Sequence, residues 1–171
     1  MPDENIVIRD CAMKDGHGGV VLGSETSGGI RNVFVERCAM DSPHLDRALR
    51  IKSNARRGGV VENIFMRQVT IARVAEAVLT IDLLYEEGAH GDHPPVVRHV
   101  RLDDVTSTAS PRVLFVRGFP GATIDRLEFA DCRFQGLELP DVVDGAGTIV
   151  FRNVAVVPAR PAQSLNSRPA P

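Results

Sequence analysis

Two short segments of the chain carry side chains suited to an acidic ligand. Gly16-His17-Gly18 places a histidine between glycines at the entrance of a predicted strand, where the backbone can turn sharply and present the ring. Arg50-Ile51-Lys52 follows, and strand alternation puts Arg50 and Lys52 on one face with Ile51 facing a core. A guanidinium can bind a carboxylate in bidentate fashion while an ammonium adds a point charge, so this pair predicts an anion site. The alternative is a solvated basic strand face.

Two further groups of residues are candidates for chemistry. Tyr85 is the only tyrosine and tryptophan is absent, so an aromatic side chain that stacks on a ligand would be Tyr85 or one of seven phenylalanines. A packing or loop-anchoring role is the alternative for Tyr85. His90-Gly91-Asp92-His93 looks like a metal cluster but lies in a Pro/Gly-rich segment without a third strong ligand. We therefore predict a solvated insertion there, and neither a metal nor a cofactor.

An internal repeat determines where these residues lie. Each unit has apolar residues at its second and fourth positions, which is typical of a strand with one buried face. A column at the seventh position holds only cysteine and valine, which predicts that Cys11, Cys38 and Cys132 are small core side chains rather than a disulfide or metal set. The units are residues 5–13, 32–40, 63–71, 99–107, 126–134 and 148–156.

A second strand pattern recurs between the units, at residues 20–25, 48–53, 78–83 and 113–118, separated by turn residues and with no convincing helix. Such short strands repeating every 22–36 residues predict an all-β parallel β-helix of about six coils. A sandwich built from hairpins is the competing all-β interpretation, but hairpins would not place the same column of residue types at one coil position six times.

The predicted domain spans residues 1–157. The connection from Leu84 to Val96 should project as a loop, and residues 158–171, rich in Pro, Ala, Arg and Ser, are predicted to be a disordered tail. A core-type coil begins at Asn5 with no polar cap before it, so we expect N-terminal coils and a cap to be missing, or this end to dock on another chain.

Composition excludes several classes of function. The chain has 171 residues, 43% of them hydrophobic, and a net charge of −2 from 20 basic and 22 acidic residues, so it is the size of one globular domain. No basic block indicates a nucleic-acid partner, and no apolar run is long enough for a membrane span. No secretory signal is visible, so the protein is either intracellular or has a natural N-terminus farther upstream, in which case it could be secreted or periplasmic.

The segments 15–33 and 49–64 together resemble the substrate-binding half of the polygalacturonase-like glycosidases, family 28 of the glycoside hydrolases. The resemblance is clear over residues 5–85 and is mainly repeat pattern from there to about residue 157. It implies a right-handed, single-stranded, pectin-lyase-like β-helix that hydrolyses α-1,4-galacturonide linkages by inversion. It also implies that His17 supports the catalytic carboxylates and that Arg50, Lys52 and Tyr85 contact an acidic polysaccharide such as pectic galacturonan or its oligosaccharides.

The same resemblance raises a question about catalysis. Inverting glycosidases need two carboxyl groups on opposite sides of the scissile bond. In this family they come from an Asn-Thr-Asp motif and an Asp-Asp pair upstream of the Gly-His-Gly segment, and neither precedes His17. Asp103-Asp104 does not match, and neither Asp10 nor Asp15 is assigned as a catalyst. We expect this chain to be inactive alone; the alternative function is a non-catalytic β-helix module that binds acidic polysaccharide or a partner chain.

Overall fold

The computed structural model describes residues 1–159. All regular structure in that range is β, and no helix long and apolar enough to cross a membrane occurs there. In chain order the strands are β1 (Asp3–Arg9), β2 (Ala12–Met13), β3 (Val20–Leu22), β4 (Ile30–Glu36), β5 (Ala39–Asp41), β6 (Arg47–Lys52), β7 (Val60–Arg73), β8 (Ala77–Asp82), β9 (Val96–Ser107), β10 (Leu114–Arg117), β11 (Thr123–Ala130), β12 (Arg133–Leu137), β13 (Val142–Asp144), β14 (Ile149–Arg152) and β15 (Ala155–Pro158).

The strands form two parallel sheets. In the larger sheet β1, β4, β7, β9, β11 and β14 lie side by side in that order, and β2, β5, β12 and β15 pair beside them. The smaller sheet has the order β13-β10-β8-β6-β3. Since strands of successive coils pair in parallel with one another, the chain winds as a parallel β-helix.

Residues at the same position of the sequence repeat pair with one another across neighbouring strands. Val33 pairs with Ile64, Ile64 with Val100, and Val100 with Leu127, all of them second positions of their units. These four side chains are fully buried between the two sheets, as alternation requires. The predicted all-β parallel β-helix is therefore confirmed.

Two of the three cysteines are buried, as predicted. Cys38 and Cys132 are buried, and burial raises the pKa of both thiols, which keeps them protonated and unreactive. Cys11 is exposed, so its predicted burial is wrong. It lies on the first coil of the chain, and only one side of that coil is covered by another. All three cysteines are free.

Each coil bends at residues whose backbone is left-handed. The first positions of five units have φ of 54–60°, and the sixth positions of all six have φ of 50–55°. The first group is Asn5, Asn32, Asn63, His99 and Arg126; the second is Asp10, Arg37, Gln68, Asp104, Asp131 and Asn153. Asparagine, aspartate and histidine adopt this conformation more readily than most residues, which explains why they are common here.

The first group also forms a ladder of side chains along the helix axis. The amide of Asn32 donates to the side-chain oxygen of Asn5 at 3.0 Å, and that of Asn63 donates to Asn32 at 3.0 Å. His99 Nδ1 lies 3.1 Å from the Asn63 oxygen, and Arg126 lies 3.3 Å from the other nitrogen of His99. The ladder thus ties successive coils together at the bend that begins each unit.

The predicted end of the domain needs a small correction. Pro158 belongs to β15, and the Ala159 amide donates to the Leu137 carbonyl, so these two residues are part of the fold and not of a tail. Residues 160–171, where the rest of the predicted tail falls, lie outside the described residues. The predicted loop after Leu84 is found between β8 and β9.

Replacing Asn32 should test the ladder. Asn32→Ala removes both ladder bonds of this residue and leaves an alanine at φ 57°, so we expect a loss of about 2–4 kcal/mol in the free energy of unfolding, measured with urea. Thr70→Ala is the control: Thr70 is an exposed residue of β7, and its variant should stay within about 0.5 kcal/mol of wild type. Equal midpoints for the two variants would contradict a stabilising ladder.

Candidate functional site

The outer face of the smaller sheet carries Arg50 and Lys52, two of the residues singled out from the sequence. Val20, Leu49 and Leu79 pair in register and point inward, and so do Leu22, Ile51 and Ile81. The residues between them therefore point outward on successive strands. One outward column contains Val21, Arg50, Thr80 and Phe115, and the next contains Lys52, Asp82, Arg117 and Asp144.

Arg50 and Lys52 lie where strand alternation puts them. Both are half-buried on the outer face of β6, while Ile51 between them is fully buried in the core. Within residues 1–159 neither cation has a carboxylate within salt-bridge distance. Two half-buried cations without an internal counter-ion make this part of the face electropositive and open to an anion.

Tyr85 joins these two cations. The Lys52 ammonium lies 4.3 Å from the centre of the Tyr85 ring, and the Arg50 guanidinium carbon lies 5.7 Å from it, both within cation–π range. The backbone at Tyr85 is also fixed, because its carbonyl accepts a hydrogen bond from the Asn54 side chain at 3.0 Å. We call Arg50, Lys52 and Tyr85 the cationic cluster.

His17 lies at the turn that leads into β3. Its side chain is 84% exposed, and Nδ1 lies 3.1 Å from a carboxylate oxygen of Asp46. When Nδ1 carries the proton it donates to Asp46, which leaves Nε2 free towards solvent. The next residue, Gly18, packs closely: a Cβ there would lie 2.7 Å from Val21 and 3.5 Å from the Cβ of Arg50. Glycine at this position therefore lets the His17 turn approach Arg50.

Arg47 pairs with Asp46, the carboxylate that contacts His17, and its charge interacts with that of Arg50. Its guanidinium contacts Asp46 at 3.4 Å and also pairs with Glu76, so Asp46 is shared between Arg47 and His17. Burial lowers the pKa of Arg47 from its ordinary value, and the nearby charge of Arg50 lowers it further. Neither Asp46 nor Arg47 was predicted from the sequence. A usable signal was the spacing of Asp46, which follows His17 by 29 residues, within the range of one coil.

Three of the acidic residues considered in the sequence pair with other side chains. Asp10 binds Arg37 through two hydrogen bonds of 2.8 Å, which holds the pKa of its carboxyl below the ordinary value. Asp15 accepts from the Ser42 hydroxyl at 2.6 Å, and Asp103 pairs with an arginine. None of them lies in the cationic cluster.

The long connection that contains Tyr85 also carries two histidines. His90, Asp92 and His93 are exposed and lie on the connection between β8 and β9. Within residues 1–159 no group of three or more histidine, cysteine, aspartate or glutamate residues could hold a metal ion.

The comparisons with known proteins agree on one family. The model of glycosyl hydrolases family 28 matches residues 2–119. A probable polygalacturonase of Vitis vinifera is 29% identical over 128 residues, which are 70% of this chain and 25% of that protein. A polygalacturonase of Ralstonia nicotianae is 38% identical over 81 residues, 46% of this chain and 15% of its own. The chain thus spans a quarter or less of the curated relatives that it matches.

A solved structure extends the similarity to the fold. A hyperthermoactive exopolygalacturonase from Thermotoga maritima superposes with a TM-score of 0.84 and 31% identity, covering 93% of this chain and 35% of that one. This match supports the right-handed winding that the resemblance implied. By its sequence and its fold, the chain belongs to family 28 of the glycosyl hydrolases.

Proposed function

We propose that this chain forms the substrate-binding part of a polygalacturonase-type glycosidase that hydrolyses α-1,4-galacturonide linkages of pectin by inversion. The observation that carries the proposal is the cationic cluster, in which two half-buried cations flank one tyrosine and have no carboxylate partner within the described residues. The relatives are named as polygalacturonases, and their names describe an acidic sugar polymer as substrate.

The chemistry of galacturonate fits this cluster. Each sugar of the polymer carries one carboxylate, and Arg50 can bind it through parallel N–H donors while Lys52 adds charge. Tyr85 offers a ring face and a hydroxyl at the same point, which suits the apolar face and the hydroxyl groups of a pyranose. A neutral polysaccharide would leave both cations without a counter-ion.

His17 is assigned a supporting role in this reaction. Its Nδ1 is oriented by Asp46, which leaves Nε2 available as a hydrogen-bond partner for a carboxylate or a water molecule beside the bound sugar. An inverting mechanism needs an acid and a base on opposite sides of the scissile bond. We assign neither role to a residue of this chain.

The first test is binding of trigalacturonate, measured by titration calorimetry. Arg50→Gln and Lys52→Gln should each weaken binding about ten- to a hundredfold, because each removes a charge-assisted hydrogen bond, and wild-type affinity should fall with added salt. Arg31→Gln is the matched control on the larger sheet, where Arg31 pairs with Glu4, and it should bind like wild type. Equal losses in the control and the cluster variants would contradict the assignment.

The second test asks whether this chain catalyses hydrolysis by itself. Release of reducing ends from polygalacturonate that is abolished in His17→Ala, with trigalacturonate affinity kept within about threefold, would support catalysis by this chain. His93→Ala, in the exposed loop, is the matched histidine control and should leave any activity unchanged. Binding without turnover in the wild type would show that this chain does not hydrolyse alone, as expected for a substrate-binding part and for the non-catalytic module.

A further inference from the structure

A column of alternating charge runs through the cationic cluster. Lys52, Asp82, Arg117 and Asp144 are paired in register on four successive strands of the smaller sheet and point outward. In-register neighbours on adjacent strands lie about 4.8 Å apart. Asp82 therefore has a cation on each side, Lys52 on one strand and Arg117 on the other.

Asp82 pairs with only one of these cations. Its Oδ2 accepts from the Arg117 guanidinium at 2.7 Å, and its Oδ1 accepts from the Leu84 amide at 3.1 Å. The Asp82 side chain is only 11% exposed, so it gains little from water and depends on these partners. Lys52 forms no ion pair with it within the described residues, and its ammonium lies 4.3 Å from the centre of the Tyr85 ring.

Arg117 also contacts the ring of Phe115. Its guanidinium carbon lies 5.2 Å from the centre of the Phe115 ring, two residues earlier on β10. A third cation, Arg47, is near enough to interact with Asp82 electrostatically, but it already pairs with Asp46 and Glu76. Without Arg117, the cation best placed to compensate Asp82 is Lys52.

We propose that Arg117 is a positioning residue of the site: by pairing with Asp82 it keeps the Lys52 ammonium free, over Tyr85, to meet an anionic ligand. The position of Lys52 follows from contacts on the sheet. The effect of this Lys52 position on ligand affinity rests on the proposed function of the cationic cluster.

The composition of the chain makes the position of Lys52 directly measurable. Lys14 and Lys52 are the only lysines and Tyr85 is the only tyrosine, so NMR of protein with 13C-labelled lysine gives two assignable side chains. In the wild type, the Lys52 ε-methylene should be shifted upfield by the Tyr85 ring and show a nuclear Overhauser contact with its protons. Lys14, which is exposed, is the internal reference.

The deciding comparison is between a single and a double variant. In Arg117→Met the upfield shift and the contact with Tyr85 should be lost, because Lys52 turns to Asp82. In the Arg117→Met/Asp82→Asn variant both should return, since the buried carboxylate is gone. Arg117→Gln, which is neutral but keeps a hydrogen-bond donor, serves if the methionine variant does not fold, and the same loss is expected.

Two results would overturn the proposal: an unchanged Lys52 signal in Arg117→Met, or a lost signal that Asp82→Asn does not restore. Trigalacturonate binding is measured on the same variants, and we expect affinity to fall about two- to tenfold in the single variant and to recover in the double variant. If the wild type did not bind trigalacturonate, the proposed function would fail, while the NMR comparison would still decide the role of Arg117.

Discussion

Parallel coils stacked in register place each side chain beside its equivalents in the coils above and below, about 4.8 Å away. This constraint shapes both faces of the molecule. Inside, it gives continuous apolar columns such as that of Val33, Ile64 and Val100. Outside, polar neighbours must bond to one another or leave a charge open to solvent or a ligand. The asparagine ladder is the first case, and the cationic cluster is the second.

Most of the fold could be predicted from the sequence, because the sequence repeat and the stacking of the coils have the same period. Alternating apolar positions identified the buried face, and the pairing of those positions across coils follows directly. The left-handed bends were not predicted. Asparagine at positions 5, 32 and 63 was a readable signal, but the same bend is made by Arg126, whose type does not indicate it.

The site was predicted in part, and the reason lies in side-chain geometry. Alternation is enough to place Arg50 and Lys52 on one face, and one coil of spacing brings Tyr85 to them. Which acid pairs with which base depends on rotamers and burial, which the sequence does not encode locally. For that reason the pairing of Asp82 with Arg117 was missed. Cys11 shows the same limit, since its exposure depends on which coils cover it.

We propose that an acidic sugar binds at the cationic cluster on the smaller sheet. The decisive measurement is a crystal structure with trigalacturonate. We expect one sugar carboxylate about 2.7–2.9 Å from donors of both Arg50 and Lys52, with Tyr85 against the ring. A sugar bound on the larger sheet, for example beside Arg67 and Arg101, with the cluster empty, would contradict it.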